Sequence, residues 1–217
     1  MITTILFDVG GVLVAPLEPE KVWERREELA QRLGYASGEE MWLDFYTSEE
    51  WEAAKTGQML HTEMWERLLR PHGFVESVER ARFVAALHEG EGLHPSMRKL
   101  IIHLHDGYRL GILSNWDNRL EEILGEKLKI DHYFDAILNS YRIGVAKPEE
   151  RAFEIAMERL DARPEEMFFI DDQERNTSVA KALGIASHTY TEIPSLVADL
   201  RERNLLTGAL KLDGHRF

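Results

Sequence analysis

Short apolar runs alternate along this chain with longer stretches in which apolar and polar positions are mixed. The first run, TTILFDV over residues 3–9, is rich in β-branched and aromatic side chains and ends at two glycines, Gly10 and Gly11. A short apolar run that stops at turn-forming residues is typical of a buried strand. The pattern therefore predicts a first buried strand over residues 3–9.

After about residue 94, strand-like runs alternate regularly with helix-like segments. The strand-like runs are, in order, YRLGILSN, FDAILNS, EMFFIDD and IASHTYT. Strands that alternate with helices indicate right-handed βαβ units and a parallel sheet with helices on both faces. The first strand belongs to this set, because a single strand cannot stand alone. We therefore expect an α/β fold built on a doubly wound parallel sheet.

The segment from residue 18 to residue 90 has a different pattern. It consists almost entirely of helix-forming residues, and breaks at Gly34, Ser37-Gly38, Gly57 and Pro71–Gly73 leave room for four helices of about 12–17 residues. This all-helical insertion is expected to cover the sheet edge from which it emerges. The sequence thus predicts a core domain of residues 1–16 and 92–217 and a helical cap domain of residues 17–91.

Four of the five tryptophans fall in this insertion, and the side chains here have ordinary structural explanations. Trp42, Trp51 and Trp65 are expected to pack between helices rather than to form a substrate platform. Lys55 lies just before a break between helices, where it can reach a substrate anion, but a solvated position is expected for it.

Composition narrows the range of functions. The 39 acidic and 26 basic residues give a formal net charge of -13, which argues against a nucleic-acid partner, although a pocket on an acidic protein can be locally positive. The absence of cysteine excludes disulfides, thiolate catalysis and zinc-thiolate or iron–sulfur sites. No signal-peptide pattern or long apolar window is present, so we expect a soluble, cytoplasmic protein without a membrane partner. The sequence carries no signal for an oligomeric state.

Polar side chains follow four of the predicted strands, where ligands bind in sheets of this kind. These residues are Asp8, Ser114, Asn115, Asn139, Ser140, Asp171 and Asp172, with Lys147 in the loop after the third of these strands. Each has a structural explanation when taken singly, such as a turn-forming aspartate or a surface lysine. Four consecutive strand ends of this type nevertheless favour a functional site.

The chemistry of these side chains suggests what such a site binds. Clustered carboxylates repel one another unless a hard cation lies among them, and Mg²⁺ accepts one or two carboxylates together with water and substrate oxygens. Lys147 supplies a positive charge for a phosphate group, and Ser114 supplies a neutral donor. A carboxylate beside Mg²⁺ and an ammonium group can act as a nucleophile towards phosphorus. The sequence therefore predicts a Mg²⁺ site and a small phosphorylated substrate.

The segments LFDVGGVLV, ILSN, GVAKPEERAF and FFIDDQERNTSVAKALG resemble the four motifs of the haloacid dehalogenase-like (HAD) hydrolase superfamily. The resemblance covers residues 3–15 and about 94–198, and it is strongest to the cap-bearing branch of small phosphatases and 2-haloacid dehalogenases. It implies a Rossmann-like core, and the inserted helices stand where that family has its cap.

The resemblance also implies roles for individual residues. Asp8 matches the nucleophile that carries an aspartyl phosphate, and Lys147 matches the lysine that neutralises both the nucleophile and the phosphate. Ser114 and Asn115 match the phosphate-binding second motif.

The implied metal ligands are Asp8, the backbone carbonyl of Gly10, and the Asp171-Asp172 pair. Of that pair, Asp172 matches a direct ligand, while Asp171 matches a ligand or its partner. One departure concerns Gly10, which stands where the family carries the aspartate that acts as general acid and base.

Three functions are compatible with this sequence. The leading hypothesis is a Mg²⁺-dependent phosphatase that acts on a small phosphorylated metabolite. A 2-haloacid dehalogenase needs no metal, so the Asp171-Asp172 pair argues against it. A HAD-like binding or regulatory domain without activity is supported by Gly10, whereas the retention of Asp8 and Lys147 argues against it. Phosphate release from p-nitrophenyl phosphate with and without Mg²⁺, beside halide release from 2-chloropropionate, distinguishes these functions.

The glycine at position 10 generates a prediction about leaving groups. Cleavage of a phosphate ester expels an alkoxide unless a proton arrives, and a positioned acid typically contributes about 10²–10⁴-fold. Because Gly10 has no proton to donate, we expect faster turnover of aryl, acyl and anomeric phosphates than of alkyl phosphates. Phosphate release over such a panel checks this, and Gly10→Asp should raise the alkyl rate relative to the aryl rate. Equal wild-type rates on both classes would contradict it.

Overall fold

The computed structural model describes residues 1–207, 210–212, 215 and 216. The strands are β1 (Thr4–Phe7), β2 (Ala15–Pro16), β3 (Glu91–Gly92), β4 (Arg109–Ser114), β5 (Ala136–Asn139), β6 (Met167–Asp171), β7 (Ala186–Thr189), β8 (Lys211–Leu212) and β9 (His215–Arg216). The α-helices are α1 (Pro19–Leu33), α2 (Gly38–Thr47), α3 (Glu49–Lys55), α4 (His61–Leu69), α5 (Ser77–Leu87), α6 (Pro95–His105), α7 (Leu120–Glu122), α8 (Ser140–Ile143), α9 (Glu150–Leu160), α10 (Glu174–Ala182) and α11 (Ile193–Glu202).

Five of these strands form one parallel sheet in the order β5-β4-β1-β6-β7. The chain runs outward from β1 through β4 to β5 and then returns to the other side of β1 for β6 and β7. The strand order therefore reverses beside β1, and the carboxyl end of β1 opens onto the crevice where sheets of this kind bind ligands. The doubly wound α/β fold expected from the alternation of strands and helices is confirmed.

Alternate residues of β1 face opposite sides of the sheet, as the two-residue period of a strand requires. Ile5 and Phe7 belong to an apolar cluster that includes residues of α6 and α11. Leu6 belongs to the cluster on the other face, which includes residues of α9 and α10. All four residues of β1 are buried, so the apolar run marked a strand that is covered on both faces.

Between β2 and β3 lie helices α1–α5, which we call the cap. The cap has an apolar cluster of its own, which contains Trp65 as a buried member and Trp42 and Trp51 as half-buried ones. The expected packing of these tryptophans between helices is therefore confirmed. The chain enters and leaves the cap through one antiparallel pairing, in which Ala15 lies opposite Gly92.

Two expectations for the cap were wrong. The cap has five α-helices instead of four, because Ser48 ends α2 and its Oγ accepts a hydrogen bond from the backbone N–H of Trp51 at 3.1 Å, which caps α3. Lys55 is buried rather than solvated, with 8% of its surface exposed, and its Nζ lies 2.5 Å from a carboxylate oxygen of Glu52. A serine cap and an ion pair between residues one helical turn apart both leave the helical spacing of apolar and polar residues unchanged. The sequence pattern therefore did not reveal either feature.

Within the described part of the chain, no helix combines the length and the apolarity that a membrane crossing requires.

The packing around Gly111 on β4 leaves little space for a side chain and gives a stability prediction. A Cβ at Gly111 would lie 2.7 Å from Cδ1 of Leu160 and 2.9 Å from Cδ1 of Leu6. Overpacking of this kind costs about 1–3 kcal/mol, so Gly111→Ala should lower the melting temperature by about 2–4 °C per kcal/mol. Gly107→Ala is the matched control, because nothing lies within 4 Å of the added Cβ there. Thermal unfolding followed by circular dichroism checks the pair, and equal melting temperatures would contradict this account.

Candidate active site

A buried lysine joins two carboxylates at the carboxyl edge of the sheet. Asp8 follows β1, Asp171 ends β6, and Lys147 lies in the loop between α8 and α9. The Nζ atom of Lys147 lies 2.9 Å from Oδ1 of Asp8 and 2.6 Å from Oδ2 of Asp171. All three residues are buried, and Lys147 is only 2% exposed. Three segments distant in sequence thus meet in one ion triad.

The backbone of Lys147 is held in place by Asn115. The Nδ2 group of Asn115 donates to the carbonyl oxygen of Lys147 at 2.8 Å, and Oδ1 accepts from the backbone N–H of Lys147, also at 2.8 Å. The side-chain amide of Asn115 is therefore directed at the protein backbone. The role of Asn115 in phosphate binding stays a prediction. In the structure, its side chain contacts the loop that carries Lys147.

The carboxylate of Asp171 is surrounded by donors. Besides Lys147, the Nδ2 group of Asn176 lies 2.9 Å from Oδ1 and 3.1 Å from Oδ2, and the backbone N–H of Gln173 donates to Oδ1 at 2.8 Å. Sequence reasoning missed Asn176. The sequence feature that could have identified it is an asparagine five residues after Asp171, in the first turn of α10, at a position that faces the sheet edge.

A third carboxylate, that of Asp172, completes the cluster. One oxygen from each of Asp8, Asp171 and Asp172 lies within 4.8 Å of the others. Burial raises the pKa of Asp8 to about 7 against the attraction of Lys147, and Asp171 adds to the rise. Partial burial, together with the neighbouring Asp171, raises the pKa of Asp172 to about 6. Burial alone would lower the pKa of Lys147, but Asp8 and Asp171 outweigh it and raise that pKa.

The cluster carries an excess of negative charge, because three carboxylates lie around one ammonium group. Burial is the main reason, and Asp171 a further one, that the pKa of Asp8 and that of Asp172 are raised, so both hold protons more tightly than they would in water. A group of oxygen ligands with surplus negative charge suits a hard divalent cation.

Two adjacent glycines border the cluster, and they differ in what they require. Gly11 has φ = +75°, and a Cβ there would lie 2.4 Å from Oδ2 of Asp172. Gly10 has ordinary space around it, since its added Cβ would contact only the ring of Trp116, at 3.7 Å. The backbone therefore needs glycine at position 11 so that Asp172 can approach. Sequence reasoning had singled out Gly10 alone.

Ser114 stands at the end of β4, the neighbour of β1, and is 1% exposed. Its Oγ is buried and has no hydrogen-bond partner among the described residues. An unpaired buried hydroxyl is costly, so such groups are usually found where a ligand or water completes the bonding. The predicted site residues thus share one edge of the sheet, with Asp8, Lys147, Asp171 and Asp172 in one cluster.

Comparisons with known proteins agree with this geometry. A family model described as haloacid dehalogenase-like hydrolase matches residues 2–184. Ribulose-1,5-bisphosphate 5-phosphatase of Halopiger xanaduensis is 27% identical over 217 residues, covering 93% of this chain and 89% of that protein. Bifunctional epoxide hydrolase 2 of Rattus norvegicus is 28% identical over 100 residues, which are 45% of this chain and 18% of that protein. The chain spans a quarter or less of the first curated relatives it matches.

A solved structure supports the same assignment. A HAD family enzyme from Bacteroides thetaiotaomicron, in complex with magnesium and inorganic phosphate, is 26% identical, with a TM-score of 0.70 over 88% of this chain and 95% of that one. Since the family model covers most of the sequence and the motif residues meet at the sheet edge, the chain belongs to the haloacid dehalogenase-like hydrolases.

Proposed function

We propose that this protein is a Mg²⁺-dependent phosphatase that hydrolyses a small phosphorylated metabolite through an aspartyl phosphate on Asp8. The observation that carries the proposal is the meeting of three carboxylates within 4.8 Å around a single buried ammonium group. Such a cluster suits a divalent cation and a tetrahedral anion together, because each offsets the charge that the other brings.

The oxygen atoms of this cluster fit Mg²⁺, but the residues that carry them have different roles. Asp171 already accepts hydrogen bonds at both carboxylate oxygens, from Lys147, Gln173 and Asn176. Asp8 and Asp172 carry the raised pKa values that a cation would relieve. We assign Asp8, Asp172 and the backbone carbonyl of Gly10 as ligands, and Asp171 as the residue that anchors Lys147. Bound Mg²⁺ supplies charge neutralisation and orientation for the phosphate oxygens.

The hydrogen bonds of Asp8 orient its carboxylate for attack. Oδ1 accepts from the backbone N–H of Val9 at 2.6 Å and lies 2.9 Å from the Nζ of Lys147, which fixes the plane of the group. A carboxylate oxygen of Asp8 forms a bond to phosphorus while the bond from phosphorus to the leaving oxygen breaks. Water then attacks phosphorus, inorganic phosphate leaves and the carboxylate is restored. Lys147 and the Oγ–H of Ser114 bind the phosphate oxygens.

The comparisons support this chemistry by similarity. The Halopiger relative, which aligns with most of this chain, is named a phosphatase. The Bacteroides neighbour binds magnesium and inorganic phosphate together. The buried, unpaired Oγ of Ser114 is a donor of the kind that such a phosphate requires.

A HAD-like domain without catalysis is the second candidate, and Gly10 favours it because no carboxylic acid stands there. Against it stands the cluster itself, since buried carboxylates and a buried lysine are costly to retain without a ligand. A 2-haloacid dehalogenase is less well supported, because its chemistry needs no metal and gives no use to Asp172.

Replacing the nucleophile tests the covalent step. Asp8→Asn keeps the size of the side chain and an oxygen that can accept from Val9 and Lys147, but it removes the attacking carboxylate. We expect p-nitrophenyl phosphate turnover to fall by at least about 100-fold while the circular dichroism spectrum is unchanged. Asp106→Asn, at an exposed position, is the control. Mass spectrometry of quenched wild-type reactions should find phosphate on Asp8, and retention of several per cent of activity in Asp8→Asn would exclude covalent catalysis there.

The two glycines give a matched pair of variants for the metal site. Gly11→Ala places a Cβ 2.4 Å from Oδ2 of Asp172, whereas Gly10→Ala meets only Trp116 at 3.7 Å. We expect Gly11→Ala to raise the dissociation constant for Mg²⁺ at least about tenfold, a loss of about 1.4 kcal/mol. Gly10→Ala should stay within about threefold of the wild type. Isothermal titration measures both, and equal affinities would show that Asp172 is not a ligand.

Lowering the pH should weaken the same binding. With burial as the main cause, the pKa of Asp8 is about 7 and that of Asp172 about 6, so both carboxylates gain protons as the pH falls through this range. Protons then compete with the cation for the same oxygens. The wild-type affinity for Mg²⁺ should therefore decrease from about pH 8 to about pH 6, and an affinity that stays constant would place the metal elsewhere.

A further inference from the structure

Three consecutive residues of the core, Asp117, Asn118 and Arg119, all contact one residue of the cap, His61. The Nδ1 atom of His61 lies 2.6 Å from Oδ2 of Asp117. The backbone N–H of His61 donates to Oδ1 of Asn118 at 2.8 Å. The Nη1 group of Arg119 lies 3.3 Å from Nε2 of His61. We call this set of contacts the clasp.

The clasp gives a partner to both ring nitrogens and to the backbone N–H of His61. Its ring is consistent with a neutral tautomer in which Nδ1–H donates to Asp117 and Nε2 accepts from Arg119. Its backbone N–H belongs to the first turn of α4, where the N-cap residue Leu60 makes no side-chain hydrogen bond. Asn118 of the core thus caps a helix of the cap.

Both side chains of the main contact are shielded from water. The side chain of His61 is 14% exposed and that of Asp117 is 7% exposed. Hydrogen bonds to a buried carboxylate are stronger than surface ones, and loss of one partner leaves the other unsatisfied.

The loop that carries the clasp, residues 115–119, also holds the lysine of the active site. At its start, Asn115 pairs with both backbone groups of Lys147. Next, the backbone N–H of Trp116 donates to Oγ of Ser140 at 3.0 Å. Further on, Nδ2 of Asn139 donates to the carbonyl oxygen of Asp117 at 2.8 Å. Five consecutive residues therefore bind Lys147 at one end and the cap at the other.

We propose that His61 is a positioning residue, and that its clasp couples the seating of the cap on the core to the placement of Lys147 between Asp8 and Asp171. When the clasp is formed, the loop of residues 115–119 is held at both ends and Asn115 holds the lysine backbone in register. When the clasp is open, that loop keeps the hydrogen bond from Asn139 to Asp117 but loses its contacts with the cap, and Lys147 loses part of its support. The consequence for catalysis rests on the proposed phosphatase function, whereas the mechanical coupling does not.

Amide hydrogen exchange tests the coupling without any substrate. The backbone N–H of Lys147 bonds to Oδ1 of Asn115, so its exchange rate reports on the far end of the loop. In His61→Ala we expect this amide to exchange on the order of tenfold faster, together with the first amides of α4. His72→Ala is the matched control, because the ring of His72 contacts Leu33 and Tyr35 within the cap. Faster exchange confined to α4 would overturn the proposal.

A second variant guards against simple unfolding of the cap. In His61→Asn the Nδ2 group replaces Nδ1–H, so the hydrogen bond to Asp117 is retained. In His61→Asn we expect the amide of Lys147 to exchange at a rate within about threefold of the wild-type rate. In His61→Ala the increase should be larger than threefold. Equal acceleration in both variants, with an unchanged melting temperature, would show that the ring contact with Asp117 does not carry the coupling.

Kinetics then test the consequence for the active site. A small misplacement of a catalytic group can cost up to about 100-fold in rate, so His61→Ala should lower kcat by about 10-fold to 100-fold with little change in KM. Combining it with Asp117→Asn should add almost nothing further, because both changes open the same contact. Additive losses would contradict the clasp. A wild type without phosphatase activity would refute the proposed function and leave the exchange result to decide the coupling.

Discussion

The arrangement of the active site depends on one buried ammonium group. The Nζ of Lys147 lies between Asp8 and Asp171 with almost no access to water. Removing such charges from water is costly, and the cost is met only when the partners are close and further hydrogen bonds complete the set. Asn115 supplies that support to the lysine backbone, and Asn176 supplies it to Asp171. The parallel sheet makes the triad possible, because it ends β1 and β6 side by side.

The charges of this triad and of Asp172 explain why the site suits a further ligand. One lysine cannot neutralise three carboxylates, and burial, with the neighbouring Asp171, raises the pKa of both Asp8 and Asp172. A divalent cation would offset this surplus negative charge, and the Bacteroides neighbour is a complex with magnesium and inorganic phosphate. Gly11 then has a clear purpose, because any side chain at its position would collide with Asp172.

A backbone pairing and a set of side-chain contacts are among the features that join the cap to the core. In the short β2–β3 pairing, the segment that enters the cap lies beside the segment that leaves it. The clasp around His61 is a side-chain contact on the loop that follows Ser114. The first is covalently continuous with the core, while the second consists only of non-covalent contacts. A cap attached in this way can affect the active site through the loop of residues 115–119 without contributing a reacting group.

The sequence by itself determined the parallel α/β fold, the helical insertion and the strand ends at which the polar residues stand, because local periodicity and turn residues encode these features. It indicated Asp8, Lys147, Asp171 and Asp172, since strand ends of a parallel sheet share one edge. Only the tertiary structure decided that Asn115 holds a backbone, that Gly11 rather than Gly10 is sterically required, and that a fifth cap helix begins after Ser48. His61 and Asp117 lie 56 residues apart in sequence. Contacts over such distances follow from the packing of whole elements, which no local pattern of residues records.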